Sequence, residues 1–238
     1  MSLLNKYTKE FICIIPARGG SKGIKNKNIK LLNGKPLIYW TIKEALKIKN
    51  FVKVIVSTDT EKIQKIAQKF GAECSFLRPK KISLDSSHVI EAIKHTINYL
   101  KKKKFDNFKY IVILQPTSPL RNKLDIKKSI NFFLKRKYAT SLVSVVQVGD
   151  NHPARMYYLE KDKLIKNQLS ETNTGNPRQK LKKMYLRNGA IYILKKNNVK
   201  KNFLGKTPVG FLMSRLNSLN IDELLDFKIA QYLINKKK

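Results

Sequence analysis

Residues 11–28 read FICIIPARGGSKGIKNKN. Five apolar residues closed by a proline have the make-up of a strand buried on both faces. The stretch after it is opposite in character. Gly19, Gly20 and Gly23 loosen the chain, and Arg18, Ser21, Lys22, Lys25, Lys27 and Asn28 fill it with hydrogen-bond donors. A buried strand that delivers a cationic glycine turn to a sheet edge is how open α/β proteins bind phosphates. The turn fits neither G-x-x-x-x-G-K-[ST] nor G-x-G-x-x-G. Taken alone it leaves two readings open: a backbone cradle for a polyphosphate, neutralised by Arg18, Lys22 and Lys27, or a basic turn whose glycines serve sterics.

Working outward, short β-branched or aromatic runs alternate with patches of helical period, the pattern of βαβ units. Strands are expected at 11–16, 52–57, 73–77, 110–114, 141–147, 190–194 and 209–213, and helices at 37–49, 60–70, 89–102, 124–137 and 221–235. This predicts a mostly parallel sheet covered on both faces, a three-layer α/β sandwich. The 238 residues suit a single domain over 1–238. The alternation breaks at 149–186, rich in turn formers and charge. A structureless insert of that length is improbable inside a compact domain, so it is read as a protruding arm or lid against a second subunit.

The net charge of +34 raises the prospect of a polyanionic partner. Its distribution argues otherwise: 42 of the 50 basic residues are lysines, spread along the whole chain, whereas groove readers favour clustered arginine. Specific nucleic-acid binding is therefore not expected. Cys13 and Cys74 lie in apolar runs and read as buried free thiols, which fits a cytoplasmic setting. No run approaches the ~18 apolar residues of a membrane span, and residues 1–10 lack the apolar stretch of a signal peptide.

Seven blocks in order, IIPARGGSKGIKNKNIK (14–30), VIVSTD (54–59), FLRP (76–79), LQPTSPLR (114–121), PRQ (177–179), RNGAIYI (187–193) and NID (220–222), closely resemble the CMP-sialic acid synthetases, the acylneuraminate cytidylyltransferase family with its legionaminic and pseudaminic acid members. The resemblance implies a Rossmann-like fold with an inserted dimerisation arm, hence a homodimer. It also implies transfer of CMP from CTP to an acidic nine-carbon keto sugar, with Mg²⁺ or Mn²⁺.

The resemblance assigns roles by position. Arg18, Ser21, Lys22 and Lys27 face the triphosphate, and Asn28 the nucleotide, at the family's ten-residue interval from Arg18. Arg78 stands against cytidine, whose acceptors a guanidinium can pair; a strand-end arginine beside Pro79 is the alternative. Asp85 and Ser87 continue the nucleotide site, although Asp85 and Ser86 alternatively cap the helix beginning near Val89. A serine found two positions beyond Ser87 in some members is Val89 here. Gln115, Arg187 and Asn188 fall to the sugar acid. So does Arg178, whose fork suits a carboxylate unless it is merely one more arm arginine. Arg18, Lys27 and Arg178 are the catalytic candidates.

Asp222 matches the second aspartate of a family D-x-D metal pair whose first position is Asn220 here, a neutral ligand in place of a carboxylate. Capping of the last helix is the alternative for Asp222, and Asp226 is a possible substitute carboxylate. Arg121 is read as a surface arginine at a helix start, with a phosphate or sugar contact as the alternative. His88 and His95 are read as packing or surface residues, and His152 as a weak sugar contact. Two other functions stay open: a synthetase for the eight-carbon acid Kdo, and a polyanion-binding protein on a degenerate scaffold.

Overall fold

The computed structural model describes residues 10–21, 23–84, 87–170, 177–199 and 204–236. Its strands are β1 (Phe11–Pro16), β2 (Leu31–Leu32), β3 (Lys35–Pro36), β4 (Phe51–Ser57), β5 (Tyr110–Leu114), β6 (Ser141–Gln147), β7 (Tyr157–Glu160), β8 (Lys163–Lys166), β9 (Tyr185–Lys195) and β10 (Pro208–Leu212). Its helices are α1 (Leu37–Leu46), α2 (Glu61–Lys69), α3 (Val89–Lys102), α4 (Lys123–Leu134) and α5 (Leu224–Asn235).

Six strands form one sheet in the order β10-β6-β9-β5-β1-β4. Neighbours are parallel except β9, which runs antiparallel to both β5 and β6. The reversal has a simple cause. A parallel return needs a crossover to the far end of the sheet, and the segment between β6 and β9 instead goes out as an arm and comes back at the same end.

Side-chain alternation along the central strands makes the layers. Phe11, Cys13 and Ile15 pack with α1, α2 and α4 on one face, while Ile12 and Ile14 pack with α3 on the other. A third, smaller cluster joins Ile24 of the glycine turn, Leu32, Leu37, Leu120 and Ile221 to Phe227, Ala230 and Ile234 of α5, with Trp40 against it. The indole Nε1–H donates to the Leu32 carbonyl at 3.2 Å. Three connecting segments and the last helix thus share one apolar floor.

Local signals set the ends. Thr60 accepts the Ile63 N–H at the start of α2, and Asn122 with Asp125 forms a reciprocal capping box at α4. The strand expected at 73–77 shrinks to a single bridge between Ile55 and Glu73. Beyond it the Cys74 carbonyl is taken by the side-chain amides of Gln64 and Gln68, each at 2.9 Å, so the chain leaves the sheet. The arm is not structureless: β7 and β8 pair as an antiparallel hairpin, with Tyr158, Leu159, Leu164 and Leu169 all exposed. Cys13 and Cys74 are free and buried. Burial raises both thiols, Cys74 to about 11, which leaves them poor nucleophiles. Among the described residues no helix is long and apolar enough to cross a membrane.

Candidate active site

From β1 the chain passes through α1 to β4 on one side, and its other neighbour is β5. The carboxyl ends of β1 and β5 therefore flank the place where the winding changes direction, where open sheets bind ligands. A cleft of about 410 Å³ opens there, lined by Arg18, Ser21, Lys27, Asn28, Arg78, Ser87, Gln115 and Asp222 among others. That volume lies within the usual range for small-molecule sites, about 300–1,000 Å³.

The glycine turn is pinned at both ends. The Gly19 N–H donates to Asp59 Oδ1 at 2.8 Å, tying the turn to the end of β4. Asn28 is buried, and its Nδ2 donates to the Arg18 carbonyl at 2.9 Å. The interval between Arg18 and Asn28 is thus a closed loop braced by an internal bond. Gly23 explains itself sterically, because a Cβ there would lie 2.3 Å from the Asp222 carbonyl oxygen.

Lys27 Nζ donates to the Ile221 carbonyl at 2.7 Å and to Asp222 Oδ1 at 3.2 Å. The Lys27 side chain is 13% exposed and that of Asp222 73%. Asn220 Nδ2 donates to the other Asp222 oxygen, while Asn220 Oδ1 is buried without a partner. The expected alternatives for this segment resolve physically. Asp226 is engaged at the start of α5, where its Oδ2 accepts the N–H groups of Asp222 and Glu223 at 2.9 and 3.0 Å, and it does not line the cleft. The cap of α5 is Glu223, so Asp222 is left free of that duty.

Arg78 is buried, and its N–H is held by the Thr58 carbonyl at 2.6 Å. Burial lowers its pKa, Asp59 opposes that, and Arg18 reinforces it. Arg18, Arg78 and Asp59 thus form one electrostatic group at the ends of β1 and β4. Beneath Arg78, His95 packs edge-on against Phe76 at 5.3 Å, and its pKa is lowered by burial, then by Arg78 and Lys102. Ser87 Oγ accepts the Leu84 N–H at 3.1 Å, folding the approach to α3. Across the cleft a Cβ on Gly189, whose φ is +71°, would lie 2.7 Å from Gln115 Oε1. The Thr117 carbonyl accepts the Ile221 N–H at 2.8 Å, joining the β5 loop to the NID turn.

Not every expected site residue faces this cleft. The Asn188 side chain is occupied in the interior: Oδ1 accepts from the Ser144 hydroxyl at 2.5 Å and the Ala190 N–H at 3.1 Å, and Nδ2 donates to Ser218 Oγ at 2.8 Å. Arg187 is exposed on β9 beside Val145. His152 caps the turn Pro153–Arg155 through Nδ1 and meets the Lys182 carbonyl with Nε2, a structural role rather than a sugar contact. Lys22, Asp85 and the Arg178 side chain lie outside the described residues.

Arg121 corrects the expectation most sharply. It is 1% exposed and bonded to the carbonyls of Gln115 and Ala190 and to the Thr41 hydroxyl. Burial lowers it to about 10, so it stays charged at neutral pH. Asp59 also joins the site without having been expected there; it stands inside VIVSTD, and the signal is a carboxylate just past a buried strand.

A cationic glycine turn, a buried arginine beside an aspartate and an exposed carboxylate around a switch-point cleft define a nucleotidyltransferase. Similarity sharpens the class. A family model described as cytidylyltransferase matches residues 12–236, and the chain belongs to that family. It is 33% identical to the CMP-N,N'-diacetyllegionaminic acid synthase of Campylobacter jejuni over 230 residues, covering 96% of each chain. It is 32% identical to the N-acylneuraminate cytidylyltransferase of Escherichia coli over 240 residues, covering 96% of this chain and 53% of that one. In structure it resembles a CMP:2-keto-3-deoxy-manno-octonic acid synthetase complexed with CTP, with TM-score 0.72 at 14% identity, covering 96% of this chain and all of that one.

Proposed function

We propose that the protein activates a nonulosonic acid with CTP, giving the CMP-sugar and pyrophosphate. The observation that carries this reading is the convergence of Arg18, Lys27 and Arg78 on one cleft at the carboxyl ends of β1 and β5. Relatives at 31–33% identity carry the names of sialic, legionaminic and pseudaminic acid cytidylyltransferases, which supports a nine-carbon acceptor over Kdo.

In the reaction the anomeric hydroxyl oxygen attacks the α-phosphorus of CTP, the bond to the β-phosphate bridge breaks, pyrophosphate leaves and the hydroxyl proton is lost. Such transfers are accelerated chiefly by positioning and by neutralising phosphate charge. Arg18 and Lys27 supply the charge, Arg78 meets the base, and Gln115 and the arm's Arg178 take the acid sugar.

The residues fit a Mg²⁺ or Mn²⁺ ion that arrives with the nucleotide. Mg²⁺ commonly uses one or two carboxylates plus substrate phosphates. Asp222 offers an exposed carboxylate, and Asn220 an oxygen with no other partner. When bound, the ion would offset phosphate charge. The exposed apolar side chains of the β7–β8 hairpin support an arm that joins two copies into a dimer. Two buried free thiols support a cytoplasmic setting.

Pyrophosphate release from CTP, UTP and ATP, each with sialic, legionaminic and pseudaminic acid and Kdo, tests the reading. Turnover is expected with CTP and a nine-carbon acid. Release with Kdo alone, or none with any acid alongside tight RNA binding at physiological salt, would overturn it.

A further inference from the structure

The geometry points to Arg121 as a positioning residue that fixes Gln115, and with it the acceptor side of the cleft. This rests on the function proposed above. The antiparallel ladder between β5 and β9 ends at the pair Leu114 and Ile191. One step further the carbonyls of Gln115 and Ala190 have lost their strand partners, and both turn to one nitrogen. Arg121 Nη1 donates to Gln115 at 3.1 Å and to Ala190 at 2.8 Å. Nη2 donates to Thr41 Oγ1 at 2.7 Å, and that hydroxyl lies 3.4 Å from the same Gln115 carbonyl. A guanidinium thus stands where the next rung would be and ties β5, β9 and α1 together.

A full charge is an expensive way to close a ladder. Among the described residues no carboxylate forms an ion pair with Arg121, and its Nε has no partner. An apolar side chain would take the guanidinium from the buried Ala190 carbonyl and leave the Gln115 carbonyl with two long contacts, the Ser118 N–H and the Thr41 hydroxyl, each at 3.4 Å, and a lysine lacks the planar fork that reaches acceptors on three elements. The same feature explains why the two strands can diverge here. β9 must turn at Gly189, whose missing Cβ makes room for Gln115 Oε1, so the ladder opens just short of the cleft.

The consequence is one-sided. Arg121 holds the Gln115 carbonyl directly, whereas the NID turn is held two residues further on, by the Thr117 carbonyl. The turn after Arg18 and the backbone of Arg78, by contrast, are held by Asp59 and the Thr58 carbonyl, while the hydrogen bonds of Arg121 go to Gln115, Ala190 and Thr41. Loosening Arg121 should therefore disturb the acid sugar more than the nucleotide.

The test is steady-state kinetics on wild type, Arg121→Lys, Arg121→Met and Thr41→Val, with circular dichroism to confirm folding. Misplacement by about 1 Å can cost about 100-fold. Arg121→Lys is expected to lower kcat/KM for the acid at least tenfold with KM for CTP within about twofold. Thr41→Val should shift the same parameter by about threefold, and Arg121→Met should exceed both. A folded Arg121→Lys with wild-type constants, or with KM for CTP rising in step, overturns the assignment. Should Arg121→Met fail to fold, the two milder variants decide. Absence of turnover by wild type with every acid removes the function itself, which separates the two failures.

Discussion

The ammonium of Lys27 lies 3.2 Å from the Asp222 carboxylate, joining the glycine turn after β1 to the turn before α5. The Asp222 carboxylate is largely exposed, so the ion pair itself contributes little to stability, and that carboxylate is available for rearrangement when phosphates enter. Lys27→Met is expected to leave the thermal midpoint within a few degrees while lowering kcat/KM by about 100-fold or more, the scale of losing one preorganised donor to developing charge. Pyrophosphate release beside a melting curve checks both halves. Asp222→Ala should abolish most Mg²⁺-dependent turnover; an unchanged Mg²⁺ titration would refute its metal role.

Asn220→Asp should have opposite effects with and without metal. Replacing the amide that donates to Asp222 sets two carboxylates together, at a cost of about 1–3 kcal/mol. A divalent cation gains a second anionic ligand. Thermal shifts with and without Mg²⁺ should show a less stable metal-free protein, a larger gain on adding metal, and activity equal to or above wild type.

Gly23→Ala and Gly189→Ala probe two close approaches, one to the Asp222 carbonyl and one to the Gln115 side chain. The first drives a Cβ into the Asp222 carbonyl. The second adds a left-handed backbone to a contact with Gln115, and strain there costs about 1–3 kcal/mol. Both are expected to lower kcat/KM more than tenfold, Gly23→Ala through CTP and Gly189→Ala through the acid. Equal effects on both substrates would contradict that division.

Stability should fall on acidification through His95. Its folded pKa lies below the ordinary value, by burial first and then by Arg78 and Lys102. The unfolded chain therefore binds the proton first, and stability is lost as pH falls from about 6.5 toward the depressed folded value. His95→Phe, which keeps an aromatic ring on Phe76, should flatten the urea midpoint over that window. An identical slope in both proteins would rule His95 out.

Removing most of residues 150–184 should leave a folded monomer. The hairpin exposes Leu159 and Leu164 at 71% and 69%, and burying such side chains between copies is worth roughly 1.5–3 kcal/mol each. Sedimentation of the shortened chain decides, since a persisting dimer would place the interface elsewhere.

The central fold is readable because its strands are short, continuous apolar runs between patches of helical period, and β1, β5 and β6 fall at their expected bounds. The reversal of β9 is not readable, since direction depends on where the preceding arm re-enters and leaves no mark on RNGAIYI. The 73–77 strand fails because two glutamines on a neighbouring helix capture its backbone, a tertiary contact invisible to periodicity. Within the site, loop cations are legible from charge and glycine. Arg121 and Asn188 are misread because a polar side chain looks the same in sequence whether it meets solvent, ligand or an unfinished ladder.

Trp40 is the sole tryptophan in the chain, and it rests on the apolar floor where Ile24, Leu120, Ile221 and α5 meet. Intrinsic fluorescence is therefore a built-in optical probe. Excited at the red edge, the unlabelled protein will report any loosening of that junction as a change in emission, so titrating CTP in a cuvette reads out the coupling among the surrounding loops directly.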